Sequence, residues 1–545
     1  MITEDQSAVI DFLASPSTYG GASVERIDTH TAIVFLAGAR AWKLKRAVRY
    51  DYLDFSTADR RRVVCQAEVR INRRTAPTLY RGVAAVTHEA DGSLALGGAG
   101  EPVEWLVDMN RFDQEALFDR LAARGALGLE LMHPLAEAIA QCHAGAERRA
   151  DHGGEAGMVW VVEGNAAGFA ESATHVLDSS VCLRVTDAAL AAIERHRTLL
   201  ELRRAGGLVR QCHGDLHLRN IVLLDGRPTL FDAIEFNDEI ACIDVLYDLA
   251  FLLMDLWRRG LVRHANTVWN AYLSETGDRT GVCLLPLFLS CRAAVRAKTS
   301  ATAARLQTDP RRTSELDTMA WEYLAMAEQL LHPPPPCLIA IGGFSGSGKS
   351  TLAMALAPAV GAIPGAVVLR SDEIRKKLCG VSPLDRLEPA GYTPEVTQHV
   401  YAVLADQADA VVQAGHSAIV DAVYARPADR ELIEEIAGRA SVPFVGLWLD
   451  APEPVLISRA QLRRGDSSDA NADVIRLQLA QDPGTIHWHR LDASSPADVV
   501  LQHATVTVQN QLRTPVTTAQ TEAANEETLI SDPAPQPTSR RRAQA

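Results

Sequence analysis

The stretch Cys337-Leu-Ile-Ala-Ile-Gly-Gly-Phe-Ser-Gly-Ser-Gly-Lys-Ser-Thr-Leu352 decides how the rest of the chain is read. Leu338 to Ile341 form a short apolar run of strand character, Gly342 to Gly348 a turn, and Lys349 opens a segment of helical character through Met354. The spacing Gly343-x-x-x-x-Gly348-Lys349-Ser350 fits a phosphate-binding loop set between a strand and a helix. Glycines let successive backbone N–H groups turn inward around an anion, and the helix start adds the positive end of its dipole. Gly343, Phe344, Ser345, Gly346, Ser347, Gly348, Lys349, Ser350 and Thr351 are therefore expected to cradle the phosphates of ATP or GTP. Lys349 suits the outer phosphates and the Ser350 hydroxyl suits Mg²⁺. The loop alone does not name the group that receives a phosphate.

Directly before this stretch lies a run of prolines, Pro333 to Pro336, which makes a stiff extended connector. It sets the expected boundaries: a front domain over 1–330, a Pro-rich linker over 331–337, a second domain over 338–512 and a disordered tail over 513–545. A chain of 545 residues is in any case too long for one ordinary domain of about 100–200 residues. With 47% hydrophobic residues both domains can build sizeable cores. The net charge of -14 argues against non-specific binding to nucleic acid or to anionic membrane. Nine cysteines, an odd number with no C-x-x-C pair, read as reduced thiols of a cytoplasmic protein. The N-terminus MITEDQSAVIDFL has neither a basic region nor a long apolar run, so no leader is expected. The most apolar stretch, Leu249 to Trp257, is short and contains Asp255, so no bilayer span is expected either.

Beyond the loop, strand-like segments at 366–369, 417–420 and 443–449 alternate with helical ones at 394–414, 427–440 and 454–464. That alternation predicts a parallel sheet covered by helices. Asp372 and Arg375 follow the first of these strands, three residues apart. Asp372 suits a base beside the γ-phosphate, and Arg375 a cation for an anionic group on the acceptor. Asp421 ends the second strand and is the candidate Mg²⁺ carboxylate. Arg459 and Arg463, four apart, share a helix face and suit charge on a transferred phosphoryl group. This half resembles the small P-loop kinases that include gluconate kinase, polynucleotide kinase and zeta toxins, and the Asp372–Arg375 pair leans toward the polynucleotide-kinase type.

The front half centres on His213-Gly-Asp215-Leu-His217-Leu-Arg-Asn220, followed by IVLLDGRPTLFDAIEF. Asp-x-x-x-x-Asn is the spacing of a kinase catalytic loop. Ile221–Leu224 and Arg227–Phe231 flank Asp225-Gly226, a hairpin signal, and folding that hairpin returns Asp232 beside Asn220. A carboxylate and an amide oxygen then converge as Mg²⁺ on ATP requires, with Asp215 upstream to take the proton of an acceptor hydroxyl. The motif, with Asp232-Ala-Ile-Glu235 after it, resembles that of the aminoglycoside phosphotransferase-like kinases. The resemblance implies Asp215 as catalytic base, Asn220 and Asp232 as Mg²⁺ ligands, and His213 as a structural residue of the loop.

A kinase of this kind also needs a strand lysine paired with a helix glutamate. The strand over 41–48 offers Lys43 or Lys45, which face the same way by period two, the first preferred; the helix over 60–74 offers Glu68. Val103 to Met109 is the expected adenine hinge strand. No Gly-rich loop precedes the lysine strand; the corresponding turn is Thr29-His30-Thr31. Asp244 and Asp248 read as helix-start and loop-bracing residues. The sequence thus predicts an α/β protein of two domains, a bilobal protein-kinase-like fold followed by a P-loop parallel sheet. It predicts two sites that use ATP and Mg²⁺ to phosphorylate hydroxyls of small-molecule or nucleotide-like acceptors. The alternative is a catalytically inactive, nucleotide-binding front domain that regulates the P-loop half.

Overall fold

The computed structural model describes residues 2–50, 52–172, 176–382, 385–462 and 467–513. Arg463 and nearly all of the expected tail lie outside them. The front half opens with an antiparallel sheet of six strands in the spatial order Val24–Asp28, Ala32–Ala37, Arg40–Lys45, Glu101–Asn110, Tyr80–His88, Leu94–Leu96. The helix Ala58–Asn72, capped by the Thr57 side chain, packs on this sheet and buries Glu68 completely. The strand carrying both lysines ends at Lys45 rather than Val48. The Arg46 amide donates to Thr31 O at 2.8 Å and its Nε to Thr29 O at 3.0 Å, so the chain bends around the neighbouring turn instead of running on. After Asn110 the chain enters a helical lobe, into which the hairpin Ile221–Leu224/Arg227–Leu230 is set. A small upper sheet with one buried helix over a larger helical lobe is the bilobal kinase arrangement.

The second half is a five-stranded sheet in the order Val367–Arg370, Ala418–Asp421, Leu338–Gly342, Phe444–Asp450, His489–Asp492, every pair parallel. All five residues of Leu338–Gly342 are buried, because this central strand has helices over both faces. Among the described residues no helix is long and apolar enough to cross a membrane.

The proline run does not separate two independent cores. One apolar cluster continues from Leu246, Leu253, Trp269 and Tyr272 of the front half into Leu338, Ala340, Val367 and Leu369 of the P-loop sheet. Trp269, on the front-half helix Val262–Thr276, is fully buried against His416, ring centroids 6.3 Å apart. Trp269→Ala is expected to destabilise the protein by about 3–5 kcal/mol, the cost of emptying a buried tryptophan site. Thermal unfolding followed by calorimetry should show both halves losing stability together.

Candidate functional site

In the front half the hairpin closes on Asp225 and Gly226, both with positive φ, and sets Asn220 opposite Phe231 through a 3.0 Å bond from the Phe231 amide. Asp232 follows in the left-handed region at φ 61°, a strained conformation for a non-glycine residue. Three neighbours hold it there. The Asp232 amide donates to Tyr80 Oη at 3.1 Å, the Ala233 amide to Asn72 Oδ1 at 2.8 Å, and the Ile234 amide to His213 O at 2.9 Å. His213 Nε2 is 2.8 Å from Phe231 O, which makes this buried imidazole a structural tie. Asn220 Nδ2 donates to the Asp215 carbonyl at 2.9 Å and to its carboxylate at 3.0 Å. Asn220 is thus joined to Asp215, and the Asp215 and Asp232 carboxylates stand near enough to feel each other's charge, both partly open to solvent.

Burial acts to raise the Asp215 carboxyl, but His217, 3.3 Å away, together with His213 and Arg296 holds it well below the usual carboxylate range. The group is therefore held in its ionised form.

Lys43 and Lys45 both reach Glu68, one on each carboxylate oxygen. Their second partners separate them. Lys43 extends to Asp232, whereas Lys45 is held by Glu235 at 2.6 Å and keeps 4% side-chain exposure against 14% for Lys43. Burial acts against the charge of both lysines, and the surrounding carboxylates overcome it and raise both pKa values. Lys43 is the lysine that faces Asp232. The turn without glycines is closed by a side chain: Thr29 Oγ1 accepts from the Ala32 amide at 3.0 Å and donates to its carbonyl at 2.9 Å.

The brace behind the His213–Asn220 loop is more elaborate than the sequence indicates. Asp248 accepts from the His213 amide at 3.1 Å and the Gly214 amide at 2.8 Å. His143 Nε2 stands 3.0 Å from Asp248, and its Nδ1 is 2.9 Å from Tyr272 Oη. Asp244 caps the helix Val245–Arg258 and pairs with Arg203. His143, Tyr80 and Asn72 carry no local sequence signal; each acts across more than 60 residues of chain.

In the second half the loop adopts the phosphate-cradle geometry. Gly343, Gly346 and Gly348 have positive φ. A Cβ on Gly343 would meet Leu449 O at 2.5 Å and one on Gly346 would meet Leu456 O at 2.3 Å, so only glycine fits at either position. A Cβ on Gly348 would meet nothing within 4 Å. Among the described residues the buried Ser347 hydroxyl has no hydrogen-bond partner, which fits a loop that receives an anion's oxygens. Lys349 Nζ donates to Phe344 O at 3.2 Å, and the Ser350 hydroxyl to Asp421 Oδ2 at 2.6 Å. Phe344 packs edge-on against Trp448 and props the loop.

A cavity of ≈ 1260 Å³ opens here, lined among others by Lys349, Ser350, Thr351, Asp372, Arg375 and Arg459. Burial, with the Asp421 charge beside it, pushes the Asp372 carboxyl upward against the pull of Lys349 and Arg370. Arg375 is buried, donates to Gly391 O at 2.9 Å and Thr397 Oγ1 at 3.2 Å, and lies 5.0 Å from the Tyr392 ring. Arg459 lines the cavity while donating to Ala493 O at 2.6 Å. Two contacts escape sequence reading: Gln478 Oε1 accepts from the Ser345 amide at 2.9 Å, and Ser468 bonds Asp372. Both come from the segment after the fourth strand, whose folding back over the loop has no local signature.

The chain is 32% identical over 483 residues to the uncharacterized protein Rv2004c of Mycobacterium tuberculosis strain H37Rv, covering 86% of this chain and 92% of that protein. The chain belongs to the family of that mycobacterial protein. Within this family member, residues 338–482 match the family described as AAA domain. The same half is similar to the adenylyl-sulfate kinase of Aeromonas salmonicida, 30% identical over 191 residues, 33% of this chain and 91% of that enzyme. Among solved structures, amicoumacin kinase hAmiN in complex with AMP-PNP, Ca²⁺ and Ami aligns over 59% of this chain and 94% of that one, at 12% identity and a TM-score of 0.38. The P-loop half of this family member carries a kinase-type P-loop fold, and the front half sets a six-stranded antiparallel sheet before a helical lobe.

Proposed function

We propose that the protein is a bifunctional ATP-dependent kinase, with one site in a front domain over 1–330 and one in a P-loop domain over 338–512, joined by the linker 331–337. The observation that carries this reading is a repeated grouping. Each half groups a phosphate-seeking lysine, a Mg²⁺-type carboxylate and a second aspartate: Lys43, Asp232 and Asp215 in front, Lys349, Asp421 and Asp372 around the rear cavity. Bound Mg·ATP would supply the transferable phosphoryl group and neutralise its charge.

In front, Asn220 and Asp232 would hold the metal, Lys43 backed by Glu68 would hold the phosphates, and Asp215 would accept the proton of an acceptor hydroxyl. Lys45, locked by Glu235, would shape the lysine strand. Behind, the amides of 343–351 and Lys349 would hold the phosphates, and Ser350 with Asp421 the metal. Asp372 would take the acceptor proton, Arg375 would meet an anionic group of the acceptor, and Arg459, with Arg463, would steady charge on the phosphoryl group. The similarity to adenylyl-sulfate kinase supports a small-molecule acceptor in the rear cleft.

The test uses the whole chain, because the halves share a core. It is incubated with Mg·ATP and a small-molecule extract, and new phosphorylated masses are compared with those from Asp215→Asn and Lys349→Ala. Each variant should lose its own set of products. Absence of any ATP-dependent product from the unaltered chain overturns the reading. The closed Thr29–Ala32 turn, which has no glycine flap, favours a second reading: a front half that binds nucleotide and transfers nothing. Products unaffected by Asp215→Asn would support it.

A further inference from the structure

The helix Val262–Thr276 belongs to the front half by chain order, yet it is built into the P-loop sheet. Val367–Arg370 is the edge strand of that sheet. Side-chain amides meet this strand and the residue before it: Asn270 Oδ1 accepts from the Val368 amide at 2.7 Å, and Asn270 Nδ2 and Asn266 Nδ2 each donate to Ala366 O at 3.2 Å. One turn further along, Ser274 is bonded twice to the helix Ser371–Leu378. Its hydroxyl donates to Glu373 Oε2 at 3.3 Å, and its carbonyl accepts from Lys377 Nζ at 3.2 Å. The other Glu373 oxygen accepts from Arg370 Nη1 at 2.8 Å. Arg370 Nε in turn lies 3.5 Å from Asp421 Oδ2, the oxygen that receives the Ser350 hydroxyl. Hydrogen bonds thus run from the front half to Arg370, whose guanidinium charge stands beside the P-loop carboxylate.

We propose that the front half supplies a positioning residue to the P-loop site: Ser274, acting through Glu373 and Arg370, fixes the Asp421 carboxylate for Mg²⁺. This rests on the reading of Asp421 as a Mg²⁺ ligand. The guanidinium of Arg370 both orients Asp421 and competes with any cation for it. Glu373 shares that guanidinium and so moderates the competition. The Ser274 hydroxyl holds one Glu373 oxygen and keeps the other turned to Arg370. Partners standing behind metal ligands commonly change metal affinity 10–100-fold when removed.

The experiment uses the full chain carrying Asp232→Asn, which silences the front metal site. It measures the Mg²⁺ concentration for half-maximal binding of a fluorescent ATP analogue, with thermal unfolding as a check that each variant is folded. Glu373→Gln should raise that concentration about tenfold. Ser274→Ala should raise it about two- to tenfold, the worth of one hydrogen bond. Ser274→Thr, which keeps a hydroxyl, should restore the parent value. Thr267→Ala, on the same helix and bonded to its own helix through the Arg263 carbonyl, should leave it unchanged.

Parent-like Mg²⁺ dependence in Ser274→Ala and Glu373→Gln, with dependence weakened in Asp421→Asn, overturns the relay and leaves the metal site standing. Parent-like dependence in Asp421→Asn as well overturns the metal assignment and the relay together. Ser274→Thr as weak as Ser274→Ala assigns the loss to packing and overturns the role of the hydroxyl.

Discussion

Asp215→Asn is expected to lower phosphoryl transfer at the front site about 10²–10⁴-fold, the usual worth of a positioned general base. The substitution keeps the shape and the oxygen that faces Asn220 Nδ2, so the loop braced by Asp248 should stay folded. It removes an ionised carboxylate that is partly open to solvent beside the hairpin and that, unlike Asp232, is not tied up by Lys43. Nucleotide affinity should change little, because Lys43, Glu68, Asn220 and Asp232 are untouched; the loss should fall on turnover. Because His217 and its neighbours hold Asp215 low, front-site turnover in the unaltered protein should persist as pH falls through 6 and 5. The Asp372 carboxyl is pushed the other way, takes up its proton first, and should cost the rear site its turnover at a higher pH. Product-specific rates across a pH series check both statements. A rear-site profile that outlasts the front one on the acid side would reverse the assignment.

Lys349→Ala is expected to reduce rear-site turnover about 10²–10³-fold, the scale of losing one preorganised charged donor at a developing anion. Its ammonium donates to the Phe344 carbonyl, within the same loop. The glycine conformations and the Ser350–Asp421 bond do not depend on it, so the loop should keep its shape and thermal stability should be near that of the unaltered chain. Front-site products should be unaffected. A Lys349→Ala chain that forms the full set of products at the original rates would show that the loop is not a catalytic nucleotide site.

The shapes of both candidate sites were legible where the pattern is local. The glycine-rich loop and the Asn220–Asp232 hairpin each lie within about twenty consecutive residues, so turn-forming glycines and short apolar strands predict their shape directly. The choice between Lys43 and Lys45 was not legible. The strand turns both to the same side, and the discrimination comes from Asp232 and Glu235, about 190 residues away. The braces His143, Tyr80 and Asn72, and the cover residues Gln478 and Ser468, are ordinary polar residues whose partners are set only by tertiary packing. The four prolines mark a real change of architecture, but nothing in the pattern of Val262–Thr276 tells that its asparagines are turned toward a strand 100 residues further on.

The asparagine pair along Val367–Arg370 has a consequence for how this polypeptide can be divided. An open parallel edge invites pairing with any passing strand, and Asn270 occupies that edge with the one amide that both gives and receives. A gene broken at the proline run would release a C-terminal fragment with the edge bare and the Trp269 socket empty. Expressed alone, that fragment should self-associate and precipitate. Co-expressed with its other half, it should return to solution as a non-covalent pair, so fusion here spares each piece the search for its mate.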